Sequence, residues 1–510
     1  MTDLVIGSGP SGISVATALL ARGRTVLMLD GGKRLEPDRA TARDQLAQRA
    51  PQDWTSADRN IWQAPQYATP TGQVRRYGSD FAMERAATTF ADGCDGFALR
   101  ASRALGGLSN LWGSAVLPYR SADMAGWAVT EDDLAPHYKA VAEFLPIAGR
   151  VDDLAGIFPA LSMQGRTPLA PSPQAEVLLS RLTASQSRLA GIGITAGAAR
   201  HAVASGCREC GMCLHGCPWG LIWSAGAAID QLRARPGFSY RPGAVVTSFA
   251  ETASGVSLTL AGGEALAGSR VFVAAGVLET ARLVLASRSG PGTLTLKDSQ
   301  HGFLPALHLW RSGRRPDRGP FHTLTQAFLE INDTAISPYT VHAQIYTWNA
   351  FFERDLIASY GARLPGSAPL WRALARRLIV AQVFLHSDHS ARVTLSLAGN
   401  GRLAARLDPN PETPAIFASA ASRLASGLKI AGLAPLTFAR RLEAIGSSFH
   451  AGSTVPMQRN PNSQGSDILG RPHGLQRVHL VDASVLPAIP ATTITLPVMA
   501  NAHRIGTISA

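Results

Sequence analysis

The spacing of apolar positions changes character several times within the first thirty residues. Residues 4–6 form a short apolar run that leads straight into Gly7-Ser8-Gly9-Pro10-Ser11-Gly12. Residues 13–21 carry apolar side chains at helical spacing, and residues 25–29 form a second apolar run ending at Asp30. This pattern predicts strand, glycine turn, helix, strand and acid. Gly7 permits the tight turn, Gly9 lets backbone approach a pyrophosphate, and Gly12 lets helix pack on strand. The helix start then faces phosphates, and Asp30 can accept from a ribose hydroxyl. The expected unit is a Rossmann-like, dinucleotide-binding α/β domain, around which the rest of the chain is organised.

Further along, the pattern is less regular. Residues 33–100 are polar and interrupted by Pro37, Pro51, Pro65 and Pro70, which predicts an irregular excursion. Gly106-Gly107 followed by Leu108-Ser109-Asn110 predicts backbone pressed close to a ligand, or a plain loop. Thr130 followed by Glu131, Asp132 and Asp133 predicts a capped helix start. Residues 321–330, 340–348, 378–386 and 392–397 are rich in β-branched and aromatic residues and predict a largely antiparallel sheet. Residues 311–320 predict a loop.

Composition narrows the class. The chain has 510 residues, 46% of them hydrophobic and 16% charged, enough for two or three domain-sized cores. No apolar run is long enough for a membrane span, and the first strand starts at residue 4, leaving no room for a secretory signal. A cytoplasmic location is expected. The net charge of +12 comes almost wholly from Arg, since Lys33, Lys139, Lys297 and Lys429 are the only lysines. Such an excess fits solvated faces or an anionic partner. No nucleic-acid motif accompanies it. Residues 371–379 form a basic amphipathic stretch that fits an ordinary surface helix or a peripheral membrane contact.

Four of the five cysteines, Cys207, Cys210, Cys213 and Cys217, fall within eleven residues and precede Pro218. The spacing is that of bacterial ferredoxin-type iron–sulfur sites. Gly211 and Gly216 permit the tight curl that four ligands require. The expected occupant is a 4Fe–4S cluster on all four thiolates, or a 3Fe–4S cluster on three. Structural zinc usually pairs two CxxC units across a longer gap, and disulfides are disfavoured in a cytoplasmic protein. Cys94 stands apart and reads as a buried apolar cysteine.

Several segments together resemble the glucose–methanol–choline oxidoreductases, a family of FAD enzymes. They are LGGLSNLWG at residues 105–113, Trp127, Asp133-Leu134-Ala135-Pro136-His137-Tyr138, Gly149, Ala244-Val245-Val246, RVFVAAGVLETARLVLAS at 270–287, GSSFHAG at 446–452 and VHLVDASVLP at 478–487. The resemblance implies FAD as cofactor, with Gly106, Gly107, Ser109, Asn110, Val246, Ala275, Gly276 and Asp482 joining Gly7, Gly9, Gly12 and Asp30 as binding residues. It implies interleaved domains. Residues 1–150, 195–300 and 445–510 would bind FAD, 151–194 would bridge, and 301–444 would form an α+β substrate domain with a mainly antiparallel sheet. It places His450 where the family carries a catalytic histidine, the general base for a hydroxyl proton. The position of the usual second catalytic residue holds Thr493, a departure, since Thr cannot act as a base near neutral pH. The implied activity is FAD-dependent alcohol dehydrogenation. A sugar or glycoside hydroxyl is the expected substrate, met by polar and aromatic strands at 339–352 and 386–389. Electrons would pass through the cysteine cluster to a quinone or a one-electron acceptor protein. An oxygen-using sterol or alcohol oxidase with a structural cysteine loop, and a non-catalytic electron-transfer subunit, are the rival readings.

Overall fold

In the computed structural model, residues 2–63, 81–93, 96–288, 292–310, 316, 321–361 and 365–509 are described. Cys94, Pro65, Pro70 and nearly all of the loop at 311–320 lie outside them.

The first strand, Thr2–Ile6, lies at the centre of a five-stranded sheet. Thr25–Asp30 and Arg270–Val273 flank it, both parallel, with Phe238–Pro242 and Val478–Leu480 at the edges. The three central strands read as near-continuous apolar runs because helices cover both faces of such a sheet. The helix Pro10–Ala21 packs against the closing helix Thr495–Ile508, where Gly506 lets Val15 and Ala18 approach.

The second sheet is antiparallel and seven-stranded. Its order is Leu433–Pro435, His301–His308, Leu378–Phe384, Val341–Tyr346, Ala327–Ile331 and Ile194–Ala198, with Arg441–Leu442 also paired to His301–His308. One face is apolar, with Leu304, Ala381, Ala343 and Leu329 packed against Phe417, Ala421 and Leu424 of the helix Thr413–Ile430. The other face borders a large cavity. A four-stranded sheet joins Thr293–Asp298 to Arg392–Leu397, Leu403–Asp408 and the short strand Ala451–Gly452.

The strands expected from 321–348, 378–386 and 392–397 are thus present as an antiparallel sheet and a neighbour. The helix expected from Thr130 spans Glu131–Phe144, and its cap is reciprocal: the Thr130 hydroxyl accepts from Asp133 N, while the Asp133 carboxylate accepts from Thr130 N. One expectation differs. Residues 33–100 include the helices Pro37–Ala47 and Ser56–Gln63. Pro37 is the first residue of its helix, where a missing N–H costs nothing, so it starts the element instead of breaking it. The segment Ile194–Ala198 pairs with Ala327–Ile331 and so belongs to the antiparallel sheet, not the parallel one.

Candidate active site

A cavity of about 1260 Å³ is lined from both sheets. Typical small-molecule pockets hold about 300–1,000 Å³, so there is room for a large cofactor and a substrate together. One end is built by Gly7–Ser11, Asp30, Gly107–Asn110 and Ala274–Gly276; the other holds Gln344, Gln382, Phe384, His450 and Thr493.

Steric limits explain the glycines at the first end. Gly7 has a φ of +100°, and a Cβ there would lie 2.4 Å from the Ala274 carbonyl oxygen. A Cβ on Gly12 would lie 2.0 Å from the Gly7 oxygen. Gly9 differs, because a Cβ there would meet nothing within 4 Å among the described residues and would enter the cavity. Gly106, at φ +85°, abuts Gly226, and Gly107 lies beside Gly9. Ser109 and Asn110 tie their own turn together. The Ser109 hydroxyl donates to Gly106 O at 2.5 Å and accepts from Ala225 N at 2.9 Å, and the Asn110 amide donates to Leu105 O and Gly107 O.

Asp30 also serves its surroundings. It accepts from the Ser8 N–H at 2.9 Å and hydroxyl at 2.8 Å, from Gly32 N at 2.7 Å and from the Tyr240 hydroxyl at 3.2 Å. Burial raises its carboxyl above the usual range, against the pull of these donors. The Ser8 hydroxyl accepts in turn from Gly106 N at 2.9 Å, so one small side chain joins the two glycine turns. Sequence reasoning passed over Ser8; its signal is a small hydroxyl between two glycines next to a distant acid.

Ala275 and Gly276 line the cavity. Asp482 sits behind them, buried, and accepts from Gly276 N at 2.9 Å, Thr280 Oγ1 at 2.5 Å and Ser484 N at 3.0 Å. Val246 is buried in the three-stranded sheet of 246–268 and is not part of the cavity lining, because its strand packs on the helix Val277–Ser287. The residues present fit a dinucleotide. Gly9 offers bare backbone to the cavity, and the adjoining twelve-residue helix begins there with no acidic side chain in its first turn.

At the other end, His450 is half-buried and its ring stacks on Phe384, with centroids 5.0 Å apart and planes at 17°. Its N–H donates to Ser448 Oγ at 3.0 Å, and its carbonyl accepts from Ser299 N at 2.9 Å. Ser448 Oγ donates to Asp298 at 3.0 Å, and Gly446 N donates to the same carboxylate at 3.1 Å. Asp298 is fully buried, and desolvation pushes its carboxyl up to about 7. Thr493 also lines the cavity, but its hydroxyl oxygen accepts from Leu117 N at 2.8 Å. Asn501 lies inside the closing helix and accepts from Arg504. The polar strands contribute unequally. Gln344, Tyr346 and Phe352 line the cavity, whereas Tyr339, His386 and His389 do not. Tyr339 stacks on His386 at 3.7 Å and donates to Asp388, which also binds Lys297, so these side chains serve a cluster of their own.

The cysteine loop curls tightly, with positive φ at Glu209, Gly211 and Gly216. None of its four thiols is in a disulfide. They line a small space of about 20 Å³ together with Leu221, Leu324 and Trp219, room for little more than one water. Among the described residues, these cysteines included, no three His, Cys, Asp or Glu side chains gather closely enough to hold a metal ion. Burial raises the Cys210 thiol to about 12 and the Cys213 thiol to about 11, and the Cys213 sulfur accepts from Thr323 N. Cluster ligands must be thiolates around a common centre. Cys207, Cys210, Cys213 and Cys217 thus border one small space, and no iron–sulfur cluster is shown for it.

No helix among the described residues is long and apolar enough to cross a membrane. The basic stretch at 371–379 divides into the end of the helix Ala368–Ala375 and the start of the strand Leu378–Phe384.

Residues 403–502 match the family model described as GMC oxidoreductase. Compared with curated proteins by sequence, the chain has no significant match. Among solved structures it is similar to pyridoxine 4-oxidase from Mesorbium loti, with 15% identity and a TM-score of 0.61 over 99% of this chain and 98% of that one. That likeness is one of fold. The segment 403–502 is thus that of a GMC oxidoreductase, and the whole chain shares its fold with pyridoxine 4-oxidase.

Proposed function

We propose that the chain oxidises the CH–OH group of a small alcohol to a carbonyl, with His450 taking the hydroxyl proton. The observation that carries this reading is the single cavity with a glycine-lined dinucleotide cradle at one end and His450 at the other. Bound FAD supplies the hydride acceptor for such a reaction. Gly7, Gly9, Gly107, Ala275 and Gly276 hold it through backbone, with Asp30 and Asp482 fixing the turns. Ser448, Ser299 and Phe384 fix the orientation of His450. Thr493 stays neutral and keeps Leu117 in place while its side chain borders the substrate space, so His450 acts without a second base at that position.

Anaerobic single-turnover bleaching of the flavin tests the proposal. His450→Ala should keep its yellow colour and lose about 10²–10⁴-fold in bleaching rate. An unchanged rate would move the base elsewhere.

The cysteine geometry favours a second point about the oxidative half. The acceptor for the oxidative half would be a small molecule, oxygen or a quinone. Stoichiometric peroxide under air supports oxygen; turnover with a soluble quinone and no peroxide supports the dehydrogenase.

A further inference from the structure

We infer that Gln344 and Gln382 determine specificity by reading hydroxyl groups of a neutral, multiply hydroxylated substrate such as a sugar. The inference rests on the alcohol-oxidising reading of the same cavity and names what that cavity selects.

The strands His301–His308, Leu378–Phe384 and Val341–Tyr346 lie side by side, and their registers place Phe303, Gln382 and Gln344 in one row. On both sides of this row the alternate residues Ala381, Val383, Ala343 and Ile345 turn to the apolar core. The row therefore faces the cavity, and all three of its members line it. Gln382 stands in the run Leu-Ile-Val-Ala-Gln-Val-Phe, otherwise wholly apolar. No described residue hydrogen-bonds its amide. Gln344 is 5% exposed, and the Tyr346 hydroxyl donates to its carbonyl oxygen at 3.1 Å. No described residue accepts from the Gln344 amide nitrogen.

Two amides side by side on the cavity wall are open to a ligand. Each offers donors and an acceptor, and neither carries charge. Arg441, a charged side chain that also lines the cavity, is engaged by Glu443 at 2.5 Å. The complement is a neutral molecule with several donor–acceptor groups. Phe303 and Phe384 flank the amides in the register, and Phe384 reaches His450, so an apolar ring face has a surface beside the proton acceptor. Sites built to hydrogen-bond hydroxyls reject analogues that lack them far more strongly than apolar pockets reject extra bulk.

The test uses the flavin-loaded enzyme with glucose, methyl glucoside and cyclohexanol as probes. The wild type should reduce its flavin with at least one of the sugars at far lower concentration than with cyclohexanol. Gln382→Leu and Gln344→Leu should each raise KM for that sugar about tenfold or more, leave kcat within a few-fold, and narrow the preference over cyclohexanol. Gln382→Asn, which keeps an amide, should recover part of the loss. Preference of the wild type for cyclohexanol, or sugar KM values unmoved by both Leu variants, would overturn the inference. If no alcohol bleaches the flavin, the catalytic reading fails by itself. Calorimetric binding of methyl glucoside then decides: binding lost in Gln382→Leu supports the amide pair, and no binding to the wild type refutes it.

Discussion

The glycine turn at 7–12 and the cysteine loop at 207–217 look alike in sequence, each a short motif with spacing tied to a ligand. The fold treats them differently. The glycine motif acts through what its residues lack: Gly12 needs room against Gly7, Gly7 needs room against Ala274, and Gly9 opens onto the cavity. The cysteine motif needs four sulfurs to point at one centre. Where they point depends on Phe321, Thr323 and Leu324, more than a hundred residues away in sequence. The glycine motif shows its purpose in the side chains it lacks, and the cysteine motif in how distant segments fit around it.

The strongest way to break this contrast is at Gly12. Gly12→Val forces a side chain onto the Gly7 carbonyl and should leave no folded protein, measured as loss of the soluble fraction. Gly9→Val should fold with an ordinary melting temperature yet emerge colourless, because its added atoms enter only the ligand space. A yellow Gly9→Val protein would mean that no pyrophosphate passes there.

The His450 turn is an intermediate case and gives a pH prediction. Asp298 holds Gly446 and Ser448, yet burial raises its carboxyl from near 3.8 to about 7. The unfolded chain therefore gives up this proton first as pH rises. Between about pH 4 and 7 it binds fewer protons than the folded chain, so this group makes stability fall across that window and level off above it. Asp298→Asn should flatten that slope in denaturant midpoints measured from pH 4 to 8. A slope unchanged by the substitution would assign it to other groups.

The smallest effect is expected at the cysteines. Cys210→Ser with Cys213→Ser should leave flavin bleaching by substrate within about twofold and cost stability of about 1–3 kcal/mol, the usual range for buried substitutions. Anaerobically purified wild type should contain no stoichiometric iron. Iron at several atoms per chain, lost in the double variant, would restore the cluster and erase the contrast.

Much of the fold was legible for the same reason as the glycine turn. Parallel strands buried on both faces read as apolar runs at 4–6, 25–29 and 270–273, and Thr130 announced its helix by a cap contained within four residues. The strand Ile194–Ala198 was not singled out, because its pairing with Ala327–Ile331 is a long-range choice. His450 and Thr493 were found through resemblance, not periodicity. Ser8, Asp298 and the Gln344–Gln382 row were missed. A polar residue inside an apolar strand was the available sign for Gln382, but its meaning depends on which face of the sheet borders the cavity.

The order of strands in the parallel sheet has a consequence for how the protein is made. The strand at residues 2–6 leaves the ribosome well before its neighbour at 270–273, and that neighbour well before the edge at 478–480. Gly7 leans on Ala274, and Gly276 is held by Asp482, so the cradle is unfinished until residue 482 has been synthesised. The glycine turn is thus translated long before it becomes competent. A ligand can use this cradle only after residue 482 has been made, and until then the nascent chain must keep the strand at 2–6 from wrong partners.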